Sequence, residues 1–225
     1  MIKYISLCEA VQRPENYLSQ IIKIIIENKD RIQKATLKKD IEHIFILLSS
    51  ILRKYKIKFR YKDDIGDYLG LSGESGTLPD MYNTIQININ DGIFLIEGNK
   101  EFDIFIYGLE QTLGHEIIHR MQMLDKVSID IQKELGKKAN SSEKNYRFSR
   151  QELMAYAWSI IEDFRFMGYS NSKILEIIKK IDNVGYRDNI KIPITYNYYL
   201  GFFGQYNNNE LRNQLHKYIY EYLND

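Results

Sequence analysis

The chain has 225 residues, with 31 Lys and Arg against 30 Asp and Glu, for a formal charge of +1. This balance lacks the excess of positive charge by which nucleic acid or an anionic membrane attracts a protein. No apolar run approaches the ~20 residues of a membrane span. The expectation is therefore no nucleic-acid partner and no membrane partner.

A single cysteine, Cys8, leaves no intramolecular disulfide to form and fits a reducing compartment. The N-terminus carries no apolar segment followed by a small-residue cleavage site, so no secretory signal is expected. Lys137-Lys138 and Lys179-Lys180 read as solvated faces. The length suffices for one sizeable core, or for a core with a helical appendage. Heavy use of Ile, Lys, Asn and Tyr fits an AT-rich genome, as in many phages and low-GC bacteria.

Residues 14–29 and 36–56 are predicted as two helices, with Pro14 opening the first and Lys/Asp punctuation between them. Ile57 to Tyr61 reads as a short strand. Residues 62–80 carry Gly66, Gly70, Gly73, Gly76 and Pro79, the signature of a loop. Ile85 to Asn90 alternates apolar and polar, Asp91-Gly92 follows, and Ile93 to Ile96 is apolar. That pattern predicts a β-hairpin.

Asn99 to Leu124 is predicted as one long helix with Asn99 as its N-cap. Phe102, Ile106, Leu109, Leu113, Ile117 and Leu124 share an apolar arc. The opposite arc carries Gly108, Gln111, Thr112, His115, His119 and Gln122. Most other positions are apolar, so the helix should be buried on several sides, and a polar strip along it needs partners.

Two of the four histidines lie in His115-Glu116-Ile117-Ile118-His119. At about 100° per residue, His115 and His119 stand only ~40° apart and one turn above each other, so both imidazoles can reach one ion. Zn²⁺ accepts neutral imidazole nitrogen and, in a catalytic site, keeps one position open for water. Glu116 sits to the side of the pair, where its carboxylate would flank that water and take its proton. The other reading is two histidines hydrogen-bonded on a packed helix.

Two histidines call for a third donor. Asp125 points ~120° away from His119 if the helix continues, out of reach. Glu134 and Glu143 are further acids in the same stretch. Glu152 is the better candidate, at the start of a second helix whose Glu152, Ala155, Tyr156, Ser159 and Asp163 share a face, small and polar near its start. Leu153, Trp158, Ile160, Ile161 and Phe164 fill its other sides. Ser149 and Glu152 also fit the S-x-x-E capping box, in which the Glu bonds back to the cap's backbone N–H, so ligand and cap both stand at this stage.

Residues 170–183 read as a helix opened by Ser170 or Ser172. Residues 185–207 are rich in Tyr and Gly, a cluster that could wall a cleft or supply an oxyanion donor, although most of the tyrosines read as half-buried packing. Asn208 to Leu223 is predicted as an amphipathic helix, with His216 as a surface or rim residue.

HEIIH followed by a helical Glu 33 residues after His119 resembles the zincin metallopeptidases of the gluzincin type. The HExxH…E-x-x-A-Y-A pattern is similar to small metallopeptidases encoded by bacteriophages and bacteria. The likeness covers roughly residues 80–165. It implies one Zn²⁺ held by His115, His119 and Glu152, with Glu116 as general base and acid, and a substrate strand laid along an edge strand before the metal helix. Better-known gluzincins carry Asn-Glu and a downstream Asp that orients a histidine; this chain has Gln151-Glu152 and Tyr156. A second zincin group places its third ligand at the position of Asp125 after a glycine, where this chain has Gln122.

The expectation is an α+β, mostly helical zincin-like domain over residues 1–225. A small sheet or hairpin precedes the HExxH helix, and an N-terminal helical pair (1–56) packs on the domain. The expected function is zinc-dependent hydrolysis of peptide bonds in a peptide or protein substrate, in the cytoplasm of a bacterium or phage-infected host. Two alternatives stand beside it: a non-catalytic zinc-binding phage virion or assembly protein, and a regulatory metallopeptidase acting on a single protein partner. An intact Glu116 favours an enzyme.

Overall fold

Apolar residues recurring every three or four positions make the N-terminal region helical. In the computed structural model, which describes residues 13–38, 40–62, 71–75, 84–90, 98–124, 150–184, 191–205 and 209–224, α1 (Glu15–Glu27) buries Leu18, Ile21, Ile22 and Ile25. Helix α2 (Lys29–Leu37) follows after a break at Asn28. Helix α3 (Ile41–Ile51) is capped by Asp40, whose carboxylate accepts the His43 backbone N–H at 3.1 Å. The expected pair is thus three helices. The Lys/Asp run between the predicted helices is the exposed side of α2, while Ile32, Ala35 and Thr36 face inward. Charges at helical spacing there mark a wet face and not a linker.

After a short 3-10 turn (Arg53–Tyr55), Lys56 adopts the left-handed conformation at φ 55° and turns the chain into β1 (Ile57–Tyr61). Ile57 and Phe59 point into the core, and Lys58 and Arg60 point out. Strand β2 (Leu71–Ser75) lies inside the stretch expected to be loop. Its sequence, Leu-Ser-Gly-Glu-Ser, has no β-branched or aromatic residue to signal a strand, and its pairing partner supplies the order. Strand β3 (Ile85–Ile89) is the predicted alternating segment, with all three isoleucines inaccessible.

The sheet order is β1-β3-β2, with β1 parallel to β3 from Ile57↔Ile85 to Tyr61↔Ile89 and β2 antiparallel to β3 from Leu71↔Ile89 to Ser75↔Ile85. Residues 85–89 are therefore a central strand and not an edge. The turn and return arm expected at 91–96 lie outside the described residues.

Helix α4 (Asn99–Leu124) packs against α1, β2, β3 and α5 (Arg150–Phe166). Its range is the expected one, but the Gly98 carbonyl accepts the Phe102 N–H, so Gly98 and not Asn99 stands at the cap position. Phe102, Phe105, Leu109, Leu113, Ile117 and Ile118 are buried, which makes α4 the centre of the molecule. Each such side chain contributes roughly 1.5–3 kcal/mol by leaving water.

Helix α6 (Asn171–Val184) is capped by Ser170, whose hydroxyl accepts the Lys173 N–H at 3.3 Å. Helix α7 (Ile194–Gln205) occupies part of the tyrosine-rich stretch, and α8 (Asn209–Asn224) closes the chain on α5. Tyr107 of α4 donates to Asp163 of α5, which Thr195 of α7 also hydrogen-bonds, tying three helices together. The result is a mostly helical α+β fold, and the buried apolar side chains of the N-terminal helices and the rest form one cluster.

Candidate metal centre

Helices can only approach closely where one of them lacks bulk. At Gly114, a Cβ would stand 2.0 Å from the Trp158 ring, so the indole of α5 lies directly on the α4 backbone. The Trp158 N–H also donates to Glu15 of α1 at 3.3 Å. This notch is one residue before His115 in α4 and six residues after Glu152 in α5. It fixes the two helices against each other beside the histidines.

Across that interface three side chains meet. His115 and His119 turn their Nε2 atoms toward each other at 3.0 Å. Glu152 brings one carboxylate oxygen to within 3.1 Å of His119 Nε2 and the other to within 3.4 Å of His115 Nε2. Each residue offers a lone-pair atom, and these three together could hold a metal ion. Among the described residues no other group of His, Cys, Asp and Glu converges in this way. The carboxylate of Glu152 therefore reaches both imidazoles. Its expected cap partner Ser149 lies outside the described residues, as do the rivals Asp125, Glu134 and Glu143.

The electrostatics follow from this contact. Burial alone would raise the Glu152 pKa, but hydrogen bonds from His115 and His119 outweigh it and hold the carboxyl well below its ordinary range. Burial likewise pushes His119 down, and the hydrogen bond to Glu152, with the charges of Glu152 and Glu116, outweighs it and raises its pKa. Without metal the trio is a proton-sharing group, and with metal the same lone pairs become ligands.

The supports of the two histidines differ. His119 Nδ1 lies 3.1 Å from the Gln122 side-chain oxygen, and the Gln122 amide donates to the Met154 sulfur of α5 at 3.3 Å. His115 is held by aromatic packing, with the Tyr156 ring edge-on at 4.7 Å and Tyr199 of α7 behind it at 4.9 Å. The next residue, Arg120, donates to the Tyr55 carbonyl at 3.1 Å and to the Tyr17 hydroxyl at 2.6 Å, anchoring the far side of α4 to the N-terminal helices.

Glu116 is 6% exposed, and its Oε2 has no hydrogen-bond partner among the described residues. A buried carboxylate oxygen with no partner is costly and marks a place where a proton or a donor belongs.

Sequence reasoning missed three features here. Gln122 was one member of a polar strip, and its contact with His119, one helical turn back, was the available signal. Gly114 fell on neither arc. His216 is not a rim residue: it is 2% exposed, with Nε2 2.8 Å from the Tyr196 hydroxyl, in the core between α7 and α8. Comparison of the chain with protein-family models, curated proteins and solved structures gave no match.

Proposed function

We propose that the chain is a zinc-dependent hydrolase of peptide bonds in which His115, His119 and Glu152 hold one Zn²⁺ and Glu116 moves the proton. The observation that carries this reading is the pairing of a converging His–His–Glu trio with a buried, unpartnered carboxylate oxygen on the same helical turn. Ligand atoms around a tetrahedral zinc stand ~3.3 Å apart, given Zn–N distances of ~2.0–2.1 Å. The separations of 3.0, 3.1 and 3.4 Å within the trio suit that ion. Two neutral imidazoles and one carboxylate also leave a net charge and an open position typical of catalytic rather than purely structural zinc sites.

Zinc bound here would lower the pKa of a water to about 7 and polarise the scissile carbonyl. The residues do the rest. Glu116 takes the proton of the attacking water and returns it to the leaving amine. Glu152 and the histidines keep their lone pairs directed at one point because α4 and α5 are locked at the Gly114–Trp158 notch. An extended substrate backbone would pair with the open side of β2, which carries no further strand among the described residues and packs on α4.

Metal content and digestion of a broad peptide library test this together. Wild type should carry about one zinc per chain and cut peptides. Glu116→Gln should keep the zinc and lose roughly 10²–10⁴-fold in rate. A wild type that holds zinc and cuts nothing would move the reading to a non-catalytic zinc protein.

A further inference from the structure

We propose that the outward face of β1 and the turn before it form a docking surface for an extended acidic segment of a partner protein. The balanced charge of the whole chain hides a local excess. Residues 53–62 carry Arg53, Lys54, Lys56, Lys58, Arg60 and Lys62 and no Asp or Glu. All six cations are exposed, while Tyr55, Ile57 and Phe59 between them are buried. Lys58 and Arg60 share the outward face of β1, and Lys56 opens the row at the left-handed turn. Lys62 continues it, since its N–H extends the ladder to the Ile89 carbonyl at 3.1 Å. At ~3.3 Å per residue, alternate positions repeat about every 6.6 Å.

No acid among the described residues pairs with Arg53, Lys54, Lys56, Lys58 or Arg60. Exposed cations elsewhere do find acids: Lys23 meets Glu27, Arg165 meets Glu162, Lys173 meets Glu176 and Lys217 meets Glu221. Like charges at this spacing repel, and an acidic partner relieves the repulsion. Charges on an edge strand can also keep other strands away. That role covers Lys58 and Arg60 within β1, but not Arg53, Lys54 and Lys56 before it. The row is also held in place. Strand β3 pairs along β1, and the Tyr55 carbonyl accepts from Arg120 at 3.1 Å and from Tyr17 at 3.2 Å. A preordered row gives up little freedom on binding.

An extended polypeptide with acids at alternate positions presents carboxylates at the same repeat of about 6.6 Å. Nucleic acid fits less well. Tyr55 and Phe59 are buried and cannot stack on bases, and a formal charge of +1 exerts no long-range pull on a polyanion.

The test follows the fluorescence anisotropy of labelled probes added to the full chain. The probes are an octapeptide of alternating Glu and Thr, a block octapeptide of the same composition, and a short oligothymidylate. The alternating peptide should bind roughly fivefold tighter than the block peptide and should be displaced between ~0.05 and ~0.5 M salt. Lys58→Glu/Arg60→Glu should weaken it by roughly tenfold or more. The same charge change on the exposed face of α6, Lys179→Glu/Lys180→Glu, should cost less than about twofold.

No binding of the alternating peptide would overturn the proposal, as would equal binding of the block peptide. Equal losses in the two reversed variants, or tighter binding of the oligothymidylate, would overturn it as well. Should the reversed β1 variant not fold, Lys58→Gln/Arg60→Gln decides: a loss of roughly threefold is expected, and no loss overturns the proposal. None of these residues belongs to the metal centre, so the outcome is independent of the zinc reading.

Discussion

His216 and His119 are both buried histidines with hydrogen-bonded ring nitrogens, yet different groups surround them. His216 Nε2 meets the Tyr196 hydroxyl at 2.8 Å, a group that can donate as well as accept. Its neighbours along α8 are Leu215, Tyr218 and Ile219, all buried. The Nε2 contact is with a hydroxyl and not with a crowd of acceptors. His119 Nε2 instead faces the Nε2 of His115 and a carboxylate oxygen of Glu152, at 3.0 and 3.1 Å. Three lone pairs crowd one point there, and a shared proton or a cation must sit among them. Burial of a histidine therefore says little about function, and convergence of acceptors says much.

The largest effect that sharpens this contrast is Glu152→Gln, which exchanges an acceptor-only carboxylate for an amide that can also donate. It turns the trio into something closer to the His216 site. Zinc affinity should fall by more than the roughly 10–100-fold typical of losing a supporting residue, and the metal-free protein should lose stability at neutral pH as well, because the amide gives up the charge that the two histidines hold in place. Calorimetric zinc titration beside denaturant unfolding checks both.

Gly114→Ala probes the same contrast from the backbone. A methyl at this position collides with Trp158 and must push α5 away from α4. Overpacking of this kind costs ~1–3 kcal/mol. Because the push carries Glu152 off the histidines, zinc affinity should fall as well, while the Tyr196–His216 contact between α7 and α8 should persist. Equilibrium unfolding with and without zinc separates the two consequences.

A smaller effect is the dependence on pH expected of the His119 site. Glu152 has its folded pKa lowered from 4.5, so its contribution is present above that value and fades as pH falls below it. His119 has its folded pKa raised from 6.5, so its contribution is complete below that value and is lost as pH rises through the folded pKa. The metal-free trio thus stabilises the fold most between these two ranges. Zinc competes with the same protons, so the rise in melting temperature on adding zinc should grow from about pH 6 to about pH 8. Melting curves across that interval check the sign.

Much of the site was readable because metal chemistry needs fixed angles. His115, Glu116 and His119 are placed by helix geometry alone, and Glu152 by the need for a third donor on a small-faced helix. The apolar arc of α4 likewise announced a central helix. What the sequence hid was set by distant partners. Strand β2 takes its order from β3, and nothing local in Leu71–Ser75 reveals this. The parallel pairing of β1 with β3 is a contact across 28 residues, from Ile57 to Ile85. Helix α7 was obscured by glycines and tyrosines, although Tyr196 and Tyr199 bury one helical turn apart. His216 misled because it was judged by residue type and not by its place among Leu215, Ile219 and Tyr222 on the buried face of α8.

The most direct measurement is zinc content by mass spectrometry in wild type, His115→Ala and His216→Phe, each purified without chelator. One zinc per chain in wild type, none in His115→Ala and one in His216→Phe is the predicted result. Zinc absent from wild type, or still present at one per chain in His115→Ala, would contradict a metal centre built on His115, His119 and Glu152.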